Sequence, residues 1–289
     1  MRAITIPIRS LISSPGPEPD DGVDFMPMPR EMNTFTMPRL PEPGVGADVA
    51  AAHTVLHAFV AQMAQWLHAD GEPPVLELAG LTPAALRALN EALGEGEVSA
   101  IVDAGERIRI QETVFCGVWR QQHLGDDGSL LHDLLLAAPI PALLPALAGA
   151  NAQSTLRARA LPAGAMNVQP LIHELQEAMD RSGVDVPAHV INLTLLPLSS
   201  EDSAHLDALL DGGNVVLLSR GFGNCRISST AARHVWRVQY FNNMQTLILN
   251  TLEVAPLPEA AQASREDLVE SHERLADLVQ WMCDALDEA

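Results

Sequence analysis

The chain contains no lysine: all 17 of its basic residues are arginine, against 37 aspartates and glutamates, and the formal charge is −20. A surface this acidic repels phosphate backbones, so no nucleic-acid partner is expected. The acidity is read first as a solubility device, and a basic peptide is the partner class it suits. Cysteine is scarce as well. Cys116, Cys225 and Cys283 are an odd number at wide spacing with no CxxC, which excludes a disulfide framework and points to a reducing compartment. Long apolar runs are missing. The richest stretch, "LLLAAPIPALLPALAGA", is interrupted by Pro139, Pro141 and Pro145, so no membrane insertion is expected. The first residues carry Pro7, Arg9 and Pro15 where a signal peptide needs an unbroken apolar core, and the chain is read as cytoplasmic.

Catalytic signatures are absent too. There is no Walker A, HExxH or GxSxG pattern. Gly221-Phe222-Gly223-Asn224 starts like a dinucleotide loop, but a strand pattern follows it and the third glycine is missing, so it reads as a hairpin turn. His53, His57 and His68 share one arc of a helix, yet that arc flanks an apolar face where edge histidines are ordinary, and no metal is assigned. Cys225 stands next to Arg226. A neighbouring cation lowers a thiol pKa, so a reactive thiol is the alternative to a small buried hydrophobe. The expectation is a protein that is not an enzyme and carries no cofactor.

What is present is length and apolar content: 289 residues, 47% hydrophobic, enough for one large or two medium domains. Residues 1–48 read as an extended Pro-rich arm. Its Phe25, Met26, Met28, Phe35 and Met37 are too apolar for an inert linker, so the arm is expected to dock on its own chain or on a partner. Then come an amphipathic helix over 50–69, a strand at 75–78, a helix capped by Thr82, and four strands near 97–103, 107–114, 117–124 and 130–137. A linker rich in Ala, Pro and Gly covers 139–165, and the same order of elements begins again.

The repetition has a register. "VWR" occurs at Val118–Arg120 and at Val235–Arg237, with 236 − 119 = 117. Shifted by 117, residues 81–141 lie on 198–258 without a gap, and 17 of the 61 pairs are identical. Among them are Leu89/Leu206, Gly96/Gly213, Arg109/Arg226, Thr113/Thr230, Trp119/Trp236, Arg120/Arg237, Gln122/Gln239 and Pro139/Pro256. The expected fold is therefore α+β: two tandem pseudo-symmetric copies of an αβαββββ module with antiparallel sheets, plus the arm and a C-terminal helix. The expected division is arm 1–48, first module 49–149, linker 150–165 and second module 166–289. The paired tryptophans are read as packing residues.

Several segments resemble a known family. "LNEALGEGEVSA", "IQETVFCGVWR", "VINLTLLPLS", "GFGNCRISSTAARHVWRVQYFNNMQTLILNTLEV" and "SREDLVESHERLADLVQWM" are similar to the HupH/HyaF/HoxQ family of accessory proteins of uptake nickel–iron hydrogenases, and the arm resembles that family's N-terminal segment. Met244-Gln245 is a minor departure from the family pattern. The resemblance implies a maturation role: a chaperone that binds the iron–sulfur small-subunit precursor before twin-arginine export. It supplies no catalytic residues. Alternatives are a scaffold linking other hydrogenase accessory proteins, or a thiol- or metal-dependent iron–sulfur assembly factor. The partner-binding surface is expected at Gly221, Phe222, Gly223, Asn224, Cys225 and Arg226, at Tyr240 and Phe241, and at Phe25, Met28 and Phe35 of the arm.

Overall fold

The structure is a computed structural model and describes residues 47–287 apart from 70, 104–106, 157–159 and 221–222. The arm expected over residues 1–48 lies outside that range except for its last two residues, and Phe25, Met26, Met28, Phe35 and Met37 lie outside it.

Helix α1 (Ala47–Ala69) buries Leu56, Phe59, Met63 and Leu67, three and four residues apart, on one side. Strand β1 (Val75–Glu77) leads to α2 (Pro83–Leu93). The Thr82 hydroxyl accepts from the Ala85 amide at 3.0 Å, and Pro83 takes the first helical position, where its missing amide costs nothing. Strands β2 (Val98–Asp103), β3 (Arg107–Glu112), β4 (Val118–Leu124) and β5 (Leu130–Ala137) follow. The stretch expected as a linker contains helix α3 (Leu143–Ala150); its Pro145 stands in the first turn, where helical amides have no intrahelical acceptor.

The second pass runs α4 (Val168–Arg181), β6 (His189–Asn192), α5 (Ser200–Leu210), β7 (Val215–Ser219), β8 (Asn224–Ser229), β9 (Val235–Phe241) and β10 (Leu247–Val254). Helix α6 (Arg265–Asp287) ends the described chain. Ser199 and Asp202 form a reciprocal capping box at the start of α5.

The two expected copies are present, and their strands join in one ten-stranded antiparallel sheet of order β1-β5-β4-β3-β2-β7-β8-β9-β10-β6. That order reads equivalently from either end. At the joint Ala100 stands opposite Leu217, flanked by Val98 opposite Ser219 and Val102 opposite Val215. Because 100 + 117 = 217, the sequence shift is a pseudo-two-fold axis through that central pair.

The identities between copies have local causes. The Trp119 indole donates to the Ala138 carbonyl at 2.9 Å, and Trp236 donates to the equivalent Ala255 carbonyl at 3.2 Å. Thr113 and Thr230 each accept from the amide two residues on, at 3.2 and 3.1 Å. A Cβ on Gly96 would lie 2.1 Å from the Thr113 carbonyl oxygen, and one on Gly213 would lie 1.8 Å from that of Ser229, so both positions are closed to any side chain. Backbone shape outlasts glycine elsewhere. Gly117 and Gly128 have positive φ, and their equivalents His234 and Gln245 keep it at 61° and 60°.

Three apolar clusters hold the sheet. One face of the central strands, roofed by α3, carries Ile110, Ile227, Val102, Val215 and both Trp119 and Trp236 in a cluster common to the two copies. On the other face, α1, α2 and α6 pack over Val118, Leu135 and Ala137. On that face also, α4 and α5 pack over Val235, Leu252 and Val254. Each copy's tail is held by the other. Leu268, Leu275 and Met282 of α6 pack with Leu56 and Phe59 of the first copy, and Arg265 donates to the Leu67 carbonyl at 2.7 Å. After α3, the Gln153 amide donates to the Ala231 carbonyl at 2.7 Å in the second copy.

Candidate functional site

The helix-covered clusters on the second face contain no residue of β2, β3, β7 or β8. The middle of that face is a floor between two helical walls. Strand pairing arranges it in two rows. One runs Gln122–Arg109–Ile101–Val216–Ser228–Arg237. The other runs Arg120–Gln111–Ser99–Leu218–Arg226–Gln239. The two-fold axis turns each row into the other. Arg107 and Arg109 are exposed, Ser99, Ile101, Gln111, Val216 and Ser228 are half-buried, and Leu218 and Arg226 are buried.

The outermost arginines of the rows anchor the walls. Arg120 forms a bidentate pair with Asp133 and donates to Asn90 of α2. Arg237 pairs with Asp207 of α5, and 90 + 117 = 207. Arg226 has its pKa lowered by burial and by the neighbouring Arg237. Among the described residues, five arginines of an acidic chain therefore stand on this one face.

Strand alternation divides the partner-binding residues expected from sequence. Cys225 is paired with Tyr240 on the tryptophan face, while Asn224, Arg226 and Phe241 stand on the floor side. Gly223 is an exposed turn residue with φ 97°, and Gly221 and Phe222 lie outside the described residues. The same alternation corrects the reading of Arg226 as a cation that activates Cys225. Adjacent strand residues point to opposite faces. Burial pushes the Cys225 thiol up to about 11, and burial followed by the neighbouring Cys225 pushes the Tyr240 hydroxyl to about 12. Cys225 is 3% exposed and packs with Ile227 and Val238, as a small hydrophobe.

The other chemical candidates are dispersed. His53 and His57 have ring centroids 6.0 Å apart. Among the described residues there is no group of three or more His, Cys, Asp or Glu able to hold a metal ion. At the β3–β4 turn the buried Glu112 carboxylate accepts from the Gly117 amide at 3.0 Å, and burial raises it to about 6. Cys116 beside it is raised to about 12, by burial first and then by Glu112. Both cysteine thiols are thus held in the protonated, unreactive form at neutral pH. No described helix is long and apolar enough to cross a membrane.

Sequence reasoning did not single out Arg109, Gln122 and Gln239 as surface residues. The signal was in the register: each is a polar residue identical between the copies, and strand pairing puts all of them on the floor side of the sheet.

Comparison with known proteins gives a consistent result. The family model described as "HupH hydrogenase expression protein, C-terminal conserved region" matches the chain twice, over residues 49–162 and 165–282. The chain is 40% identical to the hydrogenase expression/formation protein HoxQ of Cupriavidus necator over 281 residues, covering 96% of this chain and 98% of that one. It is 33% identical to the hydrogenase-1 operon protein HyaF of Escherichia coli over 280 residues, 94% and 95% of the two chains. A solved structure of the hydrogenase expression protein HupH from Thiobacillus denitrificans is 30% identical, covers 41% of this chain and 96% of that one, and superposes with a TM-score of 0.36.

Proposed function

This chain belongs to the HupH family of hydrogenase expression proteins, and from that premise we propose that it is a cytoplasmic chaperone that binds the iron–sulfur small-subunit precursor of a nickel–iron hydrogenase before export. The observation that carries the reading is the 40% identity to a hydrogenase expression/formation protein over nearly the whole of both chains. The architecture supports holding rather than catalysis. Two copies of one module form a broad sheet, the thiols on the sheet and its turns are held protonated, and a walled floor crosses the centre. The division into a first module 49–149, a linker 150–165 and a second module 166–289 is kept as part of this proposal, with α6 of the second module packing on the first.

The test is co-purification. The tagged full chain, expressed with the hydrogenase structural subunits, recovers the signal-bearing small-subunit precursor. Recovery of the mature or large subunit alone, or of neither, sinks the proposal.

A further inference from the structure

We infer that the outer face of α1 is the docking surface for residues 35–46 of the same chain, laid along the helix as a polyproline-type strand. Of the 23 residues of α1, Asp48 alone is acidic or basic, whereas nine of the 23 residues of α6, which packs beside it, are Asp, Glu or Arg. Helix α4, in the equivalent place in the second copy, exposes Glu174, Glu177, Asp180 and Arg181. Along the middle of α1 the exposed residues are instead Thr54, His57, Ala58, Ala61, Gln62 and Gln65. A helix face left to solvent ordinarily carries charge. In a chain of net charge −20, a long helix face without Asp, Glu or Arg is explained by something that lies on it.

Chain position and length identify the occupant. Residue 46 runs directly into α1, and Asp48 fixes that end of the helix by accepting from the Thr82 hydroxyl. Gly44 and Gly46 flank Val45 there, and glycine allows the tight reversal that sends the preceding chain back along the helix. Phe35–Pro43 spans roughly 28 Å at about 3.1 Å per residue, against roughly 35 Å for α1 at about 1.5 Å per residue. A second copy of the chain fits less well. A strip one helix wide, about 10 Å by 35 Å, offers about 350 Å², where a stable pair needs about 800 Å² a side.

The residue pattern of the segment matches the face. Pro38, Pro41 and Pro43 favour the polyproline helix, which repeats every three residues. On that repeat Phe35, Pro38 and Pro41 form one edge, and Met37, Leu40 and Pro43 form a second. Both charges, Arg39 and Glu42, fall on the third edge with Thr36. Two apolar edges thus lie against the uncharged helix while the charged edge stays in water. A polyproline helix makes no hydrogen bonds of its own, and the exposed Gln62 and Gln65 supply amide donors for its carbonyls. Phe35, one of the residues expected to bind a partner, is thereby covered by its own chain.

The test places a photo-crosslinking residue at Ala58 in the full chain. Expected is a crosslink within the chain to residues 35–43, mapped by peptide mass spectrometry, with a yield that does not change on dilution. A crosslink between two copies, one to a co-expressed hydrogenase subunit in its place, one only to other parts of the chain, or none at all overturns the inference. Met37→Asp combined with Leu40→Asp should cut the yield about fivefold, because each puts a charge on an apolar edge. Arg39→Ser, on the charged edge, should leave the yield unchanged. Equal yields from the two variants overturn the inference as well.

Discussion

The first and second copies share a frame but stabilise it with different chemistry, and the contrast separates what the fold requires from what each half adds. Shared are the indole bond that closes each module, the glycine pressed on the neighbouring carbonyl, and the arginine that anchors a wall helix. Different are the acids. The first copy places Glu112 at the end of β3, where the second has Ser229 at the end of β8, which accepts from the Val215 amide at 3.0 Å. The second places Asp202 inside α5, where the first has Ala85. Asp202 accepts from the amides of Met166, Asn167, Val168 and Ser199 at 2.8–3.1 Å, tying the start of α4 to the start of α5. In the first copy the equivalent tie runs the other way, with Asp48 of α1 accepting from the Thr82 hydroxyl. Backbone geometry is thus the constant, and the side chains that satisfy it are interchangeable.

The largest expected effect tests the shared frame. Trp119→Ala and Trp236→Ala should each cost about 3–5 kcal/mol, because each empties a site in one common cluster. Calorimetry should show a single transition lowered to a similar extent by both. Two separable transitions would show that the halves are independent, in spite of the joined sheet.

Asp202→Ala should lower Tm at pH 7 more than any change at Ala85. Its carboxylate is depressed from 3.8 to about 2 by backbone hydrogen bonds that outweigh burial. The folded pKa lies below the unfolded one, so the stabilisation is complete above about pH 4 and disappears as pH falls through about 2. The Tm difference between variant and wild type should therefore close in acid. A difference that persists at pH 2 argues against the hydrogen-bonded carboxylate as its source.

Glu112 has the opposite sign. Its pKa is raised from 4.5 to about 6 by burial, so its charged form destabilises the fold above about pH 6 and the effect vanishes below 4.5. Glu112→Gln keeps the acceptor for Gly117 and should gain about 2 kcal/mol at pH 8, and little at pH 4.5. Ser229→Ala, the matching change in the second copy, should show no such pH dependence.

The smallest effect concerns backbone shape. Gln245 is exposed and holds a φ of 60° where the first copy has Gly128 at 80°. Gln245→Gly should stabilise by about 1 kcal/mol and Gly128→Ala should destabilise by a similar amount, both read from urea midpoints.

Amino-acid order alone determined the duplication and nearly every element. The reason is local: an apolar stripe defines α1, Thr82-Pro83 and Ser199 start α2 and α5, and glycine at 96 and 213 is forced by a backbone contact one strand away. Each signal is contained in a short window, and the helix-capping residue and the glycine recur 117 residues on. Even the role of the paired tryptophans followed from their scarcity and spacing.

Only the tertiary structure decided how the copies combine. Joining β2 to β7 needs no motif, because antiparallel pairing is made by backbone groups that every residue carries, so the continuous sheet left no trace in the residues at its joint. Helix α3 was hidden by prolines that a first helical turn tolerates, and α6 packs on the first copy although it follows the second. The faces were decided there too. Cys225 and Arg226 are neighbours in sequence and strangers in space, since a strand sends alternate side chains to opposite sides. The walled floor with Arg109 and Arg226 exists only because two modules, each with helices over its outer strands, meet along inner strands that none of the described helical clusters reaches on that face.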